Sequence, residues 1–295
     1  MRVSVCIATY RRPELLECLL TGLRHQQVGP EITFDIVVVD NDLVKSASSI
    51  VENAQRDGLS VSYFSQPVKS IAITRNVALD NAHGDVVGFL DDDEQVGPDW
   101  LTSMIGCMED HRADCVFGPV DGIVPDDAPA WIRHGRFFDR PTMASGTVVP
   151  YGGTGNVLMR AECIAGGHRF DSRFGRTGGE DTDFFYRLHC GGAKLVWCNE
   201  ARVVEHVPKE RLKLRWLLRR AFRGGQTYAD IVARPADVLH RGFWLIERLG
   251  YAVLAAILVM AFAPFNRAHA AKWMLKVASN LGQLTTVASY RFEEY

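Results

Sequence analysis

Two apolar runs that end in acids constrain this chain more than anything else in it. Ile36-Val37-Val38-Val39 stops at Asp40-Asn41-Asp42, and Val86-Val87-Gly88-Phe89-Leu90 stops at Asp91-Asp92-Asp93-Glu94. A run that is apolar at every position, rather than at every second one, reads as a central parallel strand covered on both faces. Helical patterns lie between such runs. Pro13 stands at a first helical position ahead of Leu15, Leu16, Leu19, Leu20 and Leu23, and further helices are expected around 48–55 and 71–82. Residues 1–125 therefore read as α/β, with an open, mostly parallel twisted sheet flanked by helices. Such sheets bind ligands beyond the carboxyl ends of their strands, so Asp40 and Asp91 to Asp93 are expected to share a cleft.

Past Gly118 the pattern loosens into Gly-rich stretches, Gly152 to Asn156 and Gly175 to Asp181, followed by a helix at 182–190 and short strands at 194–197 and 202–204. The tail differs in kind. Residues 1–200 carry 18 Lys or Arg against 28 Asp or Glu, whereas residues 201–295 carry 15 against 7. In the tail, Leu214, Leu217, Leu218, Ala221 and Phe222 share one helical face beside a stripe of Arg211, Arg215, Arg219 and Arg223, and residues 249–265 hold no charge. A basic, partly apolar tail points to an anionic membrane surface. As a helix the uncharged segment spans about 25 Å, short of a hydrocarbon core of about 30 Å, with Glu247 and Arg248 expected to block its extension. Shallow or re-entrant insertion is expected, with a buried hairpin against residues 271–284 as the plainer outcome.

Composition removes other classes. The seven cysteines are scattered without a C-x-x-C pair, which suggests neither a disulfide framework nor a zinc site, and residues 3–10 are too short for a secretory signal core. There is no phosphate loop, no strand-linked G-x-G-x-x-G and no G-x-S-x-G. Three adjacent carboxylates at Asp91, Asp92 and Asp93 repel one another. A solvated turn tolerates this, and a divalent cation with oxygen ligands relieves it. The Gly178-Gly179-Glu180-Asp181-Thr182-Asp183 cluster opens a helix. There an acid either opposes the macrodipole or serves as a general base. His206 follows an apolar strand and reads as a hydrogen-bonding residue or as a metal ligand.

Taken in order, Val3 to Arg12, Val37 to Asn41, Thr74-Arg75-Asn76, Phe89 to Asp93 and Gly179-Glu180-Asp181 resemble the motifs of family 2 glycosyltransferases of the GT-A fold. Gly178 to Phe185 and Glu205 to Arg211 are similar to the β-1,4-glucosyltransferases of succinoglycan-type exopolysaccharide assembly. The resemblance implies a GT-A domain over 1–210, with a nucleotide-sugar part at 1–125 and an acceptor-binding and catalytic part at 126–210, followed by a helical, membrane-associating tail at 211–295. It implies that Thr9 and Arg11 border the nucleotide, Asp40 contacts uracil or ribose, Arg75 lies near the diphosphate, and Asp91 and Asp92 belong to the same pocket. Asp93 and His206 would hold Mn²⁺ or Mg²⁺, Asp181 would be the catalytic base, and Glu180 would hydrogen-bond a sugar.

The implied function is inverting transfer of one hexose, with glucose favoured, from a UDP-sugar to an oligosaccharide on a polyprenyl diphosphate lipid. The place would be the cytoplasmic face of the inner membrane, without nucleic acid. Arg211-Leu212-Lys213-Leu214-Arg215-Trp216 has one residue too many for the [QR]-x-x-R-W of processive synthases, which favours single addition. The alternatives are a nucleotidyltransferase and a catalytically silent sugar- or lipid-binding module on the same fold.

Overall fold

In a computed structural model, residues 1–140, 142–233, 237–288 and 291–292 are described, so parts of the expected tail (234–236, 289–290 and 293–295) lie outside the described residues. The chain divides into two compact units. The first comprises 1–122 and 140–205, and the second 123–139 and 206–294.

The first unit begins β1 (Arg2–Thr9), α1 (Pro13–Arg24), β2 (Thr33–Asp40), α2 (Ser48–Arg56), β3 (Val61–Ser65), α3 (Ile71–Asp80) and β4 (Val86–Asp91). There follow β5 (Glu94–Val96), α4 (Trp100–Asp110), β6 (Cys115–Phe117) and β7 (Val120–Ile123), the last reaching the boundary of the unit. After the insertion of 123–139, which carries α5 (Ala130–Gly135), come β8 (Asn156–Arg160), α6 (Glu162–Ala165), α7 (Glu180–Cys190), β9 (Leu195–Trp197) and β10 (Val203–His206).

Seven strands form one sheet in the order β3-β2-β1-β4-β8-β6-β9, and β5, β10 and β7 form a second. β1 pairs in parallel with both β2 and β4, and β8 is antiparallel to its neighbours β4 and β6. The chain thus leaves β1 in one direction for β2 and β3 and returns on its other side as β4. The carboxyl ends of β1 and β4 flank the switch point where open sheets take ligands, and the register sets Ala8 beside Asp91 there. The continuous apolar runs are explained by cover on both faces. Val5, Ile7, Ile36 and Val38 belong to one buried cluster with α1 and α4, while Cys6, Val37, Val39 and Phe89 belong to another with Phe170, Phe184 and Phe185.

The second unit contains α5, α8 (Leu214–Tyr228), α9 (Val238–Phe262) and α10 (Arg267–Thr285). Ile132, Phe138, Leu212 and Leu217 share its buried cluster, so residues 126–139, expected within the 126–210 part, group with the C-terminal helices together with 123–125. α8 and α10 approach at backbone distance. A Cβ on Gly282 would stand 2.0 Å from the Phe222 carbonyl oxygen, and one on Gly225 2.0 Å from that of Ser279. α9 corrects the expected helix start. It runs through Glu247 and Arg248, which pair with each other at 2.9 Å, while the Arg248 guanidinium lies 4.9 Å from the Tyr251 ring centroid.

Candidate active site

β1 delivers its last residue, Thr9, to the switch point, and the turn that follows contains Arg11 in the left-handed region at φ 55°. A non-glycine residue there marks a constrained turn. On either side of Arg11 the chain is tied to acids: Thr9 donates from Oγ1 to Asp92 Oδ2 at 2.8 Å, and Arg12 Nη1 reaches Asp92 Oδ1 and Asp93 Oδ2, both at 3.0 Å. Arg11 itself pairs with Asp42 at 3.1 Å and keeps 60% of its side chain exposed.

The three consecutive acids have three different environments. Asp92 is buried, and although Arg12 and Thr9 favour its charge, desolvation dominates and pushes its carboxyl up. Asp93 is pushed up to about 6, by burial first, then by the charges of Asp91 and Glu205, against the pull of Arg12. Asp91 keeps 46% of its side chain exposed and accepts from Arg75 Nη2 at 3.2 Å. Behind them Glu94 is 2% exposed and accepts from the Asp91 backbone N–H at 2.9 Å. Burial beside so many acids raises its carboxyl far above the usual range. Gly155 permits this crowding, since a Cβ there would stand 2.6 Å from Glu94 Oε1 and 3.2 Å from Asp91 Oδ2.

Arg75 joins two distant stretches of chain. On α3 it is 7% exposed, and its guanidinium donates both to Asp91 and to Glu180, the first residue of α7. The Gly178-Gly179 pair, at φ 72° and 97°, supplies the left-handed turn that starts α7. Within its first turn the acids separate by task. Glu180 faces Arg75, Asp183 pairs with Arg187 at 2.9 Å one turn on, and Asp181 Oδ1 accepts from the Thr182 N–H at 2.6 Å. Asp181 Oδ2 faces the Gly-rich loop, where a Cβ on Gly153 would meet it at 3.3 Å.

Asp40 is the residue expected at uracil or ribose. It is fully buried, with Oδ1 accepting from the Asp42 N–H at 2.9 Å and Oδ2 accepting from the Ala47 N–H at 2.9 Å and the Tyr63 hydroxyl at 3.0 Å. In this geometry its carboxylate holds the loop after β2. Asp92, directed at Thr9 and Arg12, likewise braces the β1 turn. His206 is exposed at the end of β10, one residue after Glu205, whose charge acts on Asp93. Among the described residues no group of three or more His, Cys, Asp or Glu forms a ready metal cage.

Arg12, Glu94 and Glu205 had no role assigned from sequence. Arg12 stands in the first motif, and Glu205, on the same strand face as buried Val203, is paired across the ladder with Glu94. That cross-strand pairing of two acids is the signal, and it is invisible before the register is known.

Residues 4–168 match the family model described as glycosyl transferase family 2. The chain belongs to that family. Over its whole length the transferase is 36% identical to the succinoglycan biosynthesis protein ExoM of Rhizobium meliloti (strain 1021), of which 97% is covered. Its fold is that of a mannosyltransferase from Pyrobaculum calidifontis solved with GDP-Man and Mn²⁺, with TM-score 0.61, 18% identity, and coverage of 99% of this chain and 76% of that one. It is also similar to S. aureus TarS 1-349 in complex with UDP-GlcNAc, with TM-score 0.58, 16% identity, and coverage of 99% and 94%. The α/β unit with its switch-point cleft is thus a GT-A glycosyltransferase domain.

Proposed function

We propose that the transferase moves one hexose, with inversion, from a UDP-sugar to a lipid-linked oligosaccharide in exopolysaccharide assembly. The observation that carries this reading is the single guanidinium of Arg75. It ties the β4 acid Asp91 to Glu180 at the start of α7, the residue next to the candidate base Asp181, which supports a shared site for the two.

Asp181 takes the proton of the attacking acceptor hydroxyl on its Oδ2, while Oδ1 is held by the Thr182 N–H, which fixes the carboxylate's orientation. Arg75 offers positive charge to the departing diphosphate, and Glu180 aims that guanidinium. Arg12 and Thr9 hold the acid turn in place. Attack on the face opposite the leaving group needs no covalent intermediate, so an α-linked donor gives a β-linked product.

The donor set suits a hard divalent cation, Mn²⁺ or Mg²⁺. Asp93 is a carboxylate whose ionisation is opposed by Asp91, Asp92 and Glu205 and favoured by Arg12, a concentration of negative charge that a cation relieves. Asp93 and Glu205 are the residues we assign to it, with substrate phosphates and water as the expected remaining ligands. His206 is the further ligand implied by resemblance. When bound, the cation neutralises charge on the leaving diphosphate.

The lipid acceptor and the membrane rest on the second unit. α9 includes a candidate span, Leu239–Phe262, whose apolar 18-residue window has mean hydropathy 1.9 with only 11% of it buried, and Leu249, Val253, Ile257 and Met260 are each more than half exposed. Such a surface fits the bilayer. Screening UDP-sugars against a polyprenyl diphosphate oligosaccharide, with and without Mn²⁺, tests the assignment. Metal-dependent transfer from one UDP-sugar is expected, and release of pyrophosphate from a nucleoside triphosphate would replace this reading with nucleotidyl transfer.

A further inference from the structure

We propose that the cleft between α9 and α10 holds the phosphate of an anionic membrane lipid. The proposal rests on membrane insertion of α9, and adds to it a ligand site outside the sugar-transfer cleft. The cleft has a volume of about 330 Å³. α9 contributes Arg248 and Tyr251, one turn apart, and α10 contributes Trp273, Lys276, Asn280 and Gln283, at the three- and four-residue spacing of one helical face.

The chemistry of these side chains is two-sided. Arg248 and Lys276 are cations, and among the described residues that line the cleft none is an acid. The ion pair of Arg248 with Glu247 engages Nη2, while its Nε is buried without a hydrogen-bond partner among the described residues. Gln283 is 6% exposed and lines the cleft, and its Oε1 too is buried without a partner there. A buried amide and a buried guanidinium nitrogen left without partners are costly unless something polar completes them. A phosphate accepts from guanidinium and ammonium together, and its hydroxyl or a headgroup hydroxyl can donate to the Gln283 carbonyl. Tyr251, Trp273, Leu254 and Ala255 supply the apolar and aromatic wall that an acyl or prenyl chain requires.

Depth along the helix supports the same occupant. Within α9, everything from Leu249 to Phe262 is uncharged, a length of about 21 Å, and Arg248 is the last charge before it. If the uncharged part enters the bilayer, Arg248 stands at the level of the phosphates, where Tyr and Trp also concentrate. An ionisable residue on a membrane-inserted helix calls for a partner there.

The test is flotation of the full-length protein at high salt, which screens exposed arginines. Three vesicles are compared: phosphatidylcholine alone, phosphatidylcholine with a minor fraction of phosphatidylglycerol, and phosphatidylcholine with a minor fraction of a long-chain polyprenyl diphosphate. Wild type is expected to float on all three and to bind at least one of the two anionic vesicles about tenfold or more tightly than neutral phosphatidylcholine. Arg248→Gln with Lys276→Gln should lose that preference and still float on neutral vesicles. Arg248→Lys with Lys276→Arg keeps the charges and should retain it, which separates loss of charge from loss of fold. A loss confined to phosphatidylglycerol names bilayer phospholipid as the occupant, and one confined to the diphosphate names the acceptor lipid. A Gln pair that keeps the full preference, or a wild type without one, overturns the proposal. Failure of wild type to float on neutral vesicles defeats α9 insertion, and the cleft assignment with it.

Discussion

The two units treat charge and apolar surface in opposite ways. In the first unit nearly every acid at the switch point meets a donor from a distant part of the chain, and the apolar runs are enclosed on both faces. In the second, Leu239, Phe243, Ile246, Met260 and Phe265 are 69–87% exposed, and its arginines lie on or near aromatic rings, Arg211 and Arg220 at 5.6 and 5.3 Å from Trp216. The first unit gathers its acids and arginines at the strand ends around the switch point. The other leaves an apolar surface that water does not satisfy. On the proposed function the difference would separate sugar-transfer chemistry from membrane contact, and variants confined to one unit test that division.

The largest effect expected is on chemistry in the first unit only. Asp181→Asn should lower turnover by about 10² to 10⁴ while donor binding, read by calorimetry, persists. Retained turnover would move the base elsewhere. Next, Arg75→Ala removes the shared partner of Asp91 and Glu180 and leaves a buried carboxylate behind. Melting of the first unit should show a loss of about 3–5 kcal/mol. In the second unit, Gly282→Ala forces a methyl against the Phe222 carbonyl. It should cost about 1–3 kcal/mol in that unit's melting and leave donor hydrolysis unchanged.

Asp93 provides a smaller, pH-dependent contrast. Its carboxyl is raised from 3.8 to about 6 in the folded chain, so between those values the native state binds more protons than the unfolded state. Stability of the metal-free protein should therefore rise as pH falls from about 6 to about 4, by at most about 1.4 kcal/mol per pH unit from this group. Asp93→Asn should flatten the slope, and the rise in melting temperature on adding Mn²⁺ should fade below pH 6. Loss of that metal response in Glu205→Gln or in His206→Ala would say which neighbour completes the shell. The smallest effect belongs to the arginine stripe. Changing Arg215, Arg219 and Arg223 to Gln should weaken binding to anionic vesicles at low salt by about 1 kcal/mol per residue, with no change in donor hydrolysis.

Much of the first unit is legible in sequence because β2 and β4 carry continuous apolar runs that end in acids, the pattern of central strands covered on both faces. Pro13 at the start of α1 and the Gly178-Gly179 turn before α7 are local signals for the same reason, since backbone geometry restricts which residues fit. The uncharged segment of the tail was visible too, but its start was not. Glu247 and Arg248 look like a barrier in one dimension, and become compatible with a continuous helix once they pair with each other and Arg248 lies by Tyr251.

What the sequence determined by itself was the class of fold, the family and the inventory of acids, because periodicity and motif order are local properties. Tertiary structure alone decided which acid does what. Asp40 and Asp92 carry the same carboxylate as Asp91 and Asp181, yet the first two face internal donors at Ala47, Tyr63, Thr9 and Arg12, while Asp91 stays half exposed. Strand register brought Glu205 opposite Glu94, and the meeting of α3 with the end of β4 and the start of α7 gave Arg75 its partners Asp91 and Glu180. A carboxylate's role follows from its desolvation and its neighbours, and both are set by contacts between residues far apart in the chain.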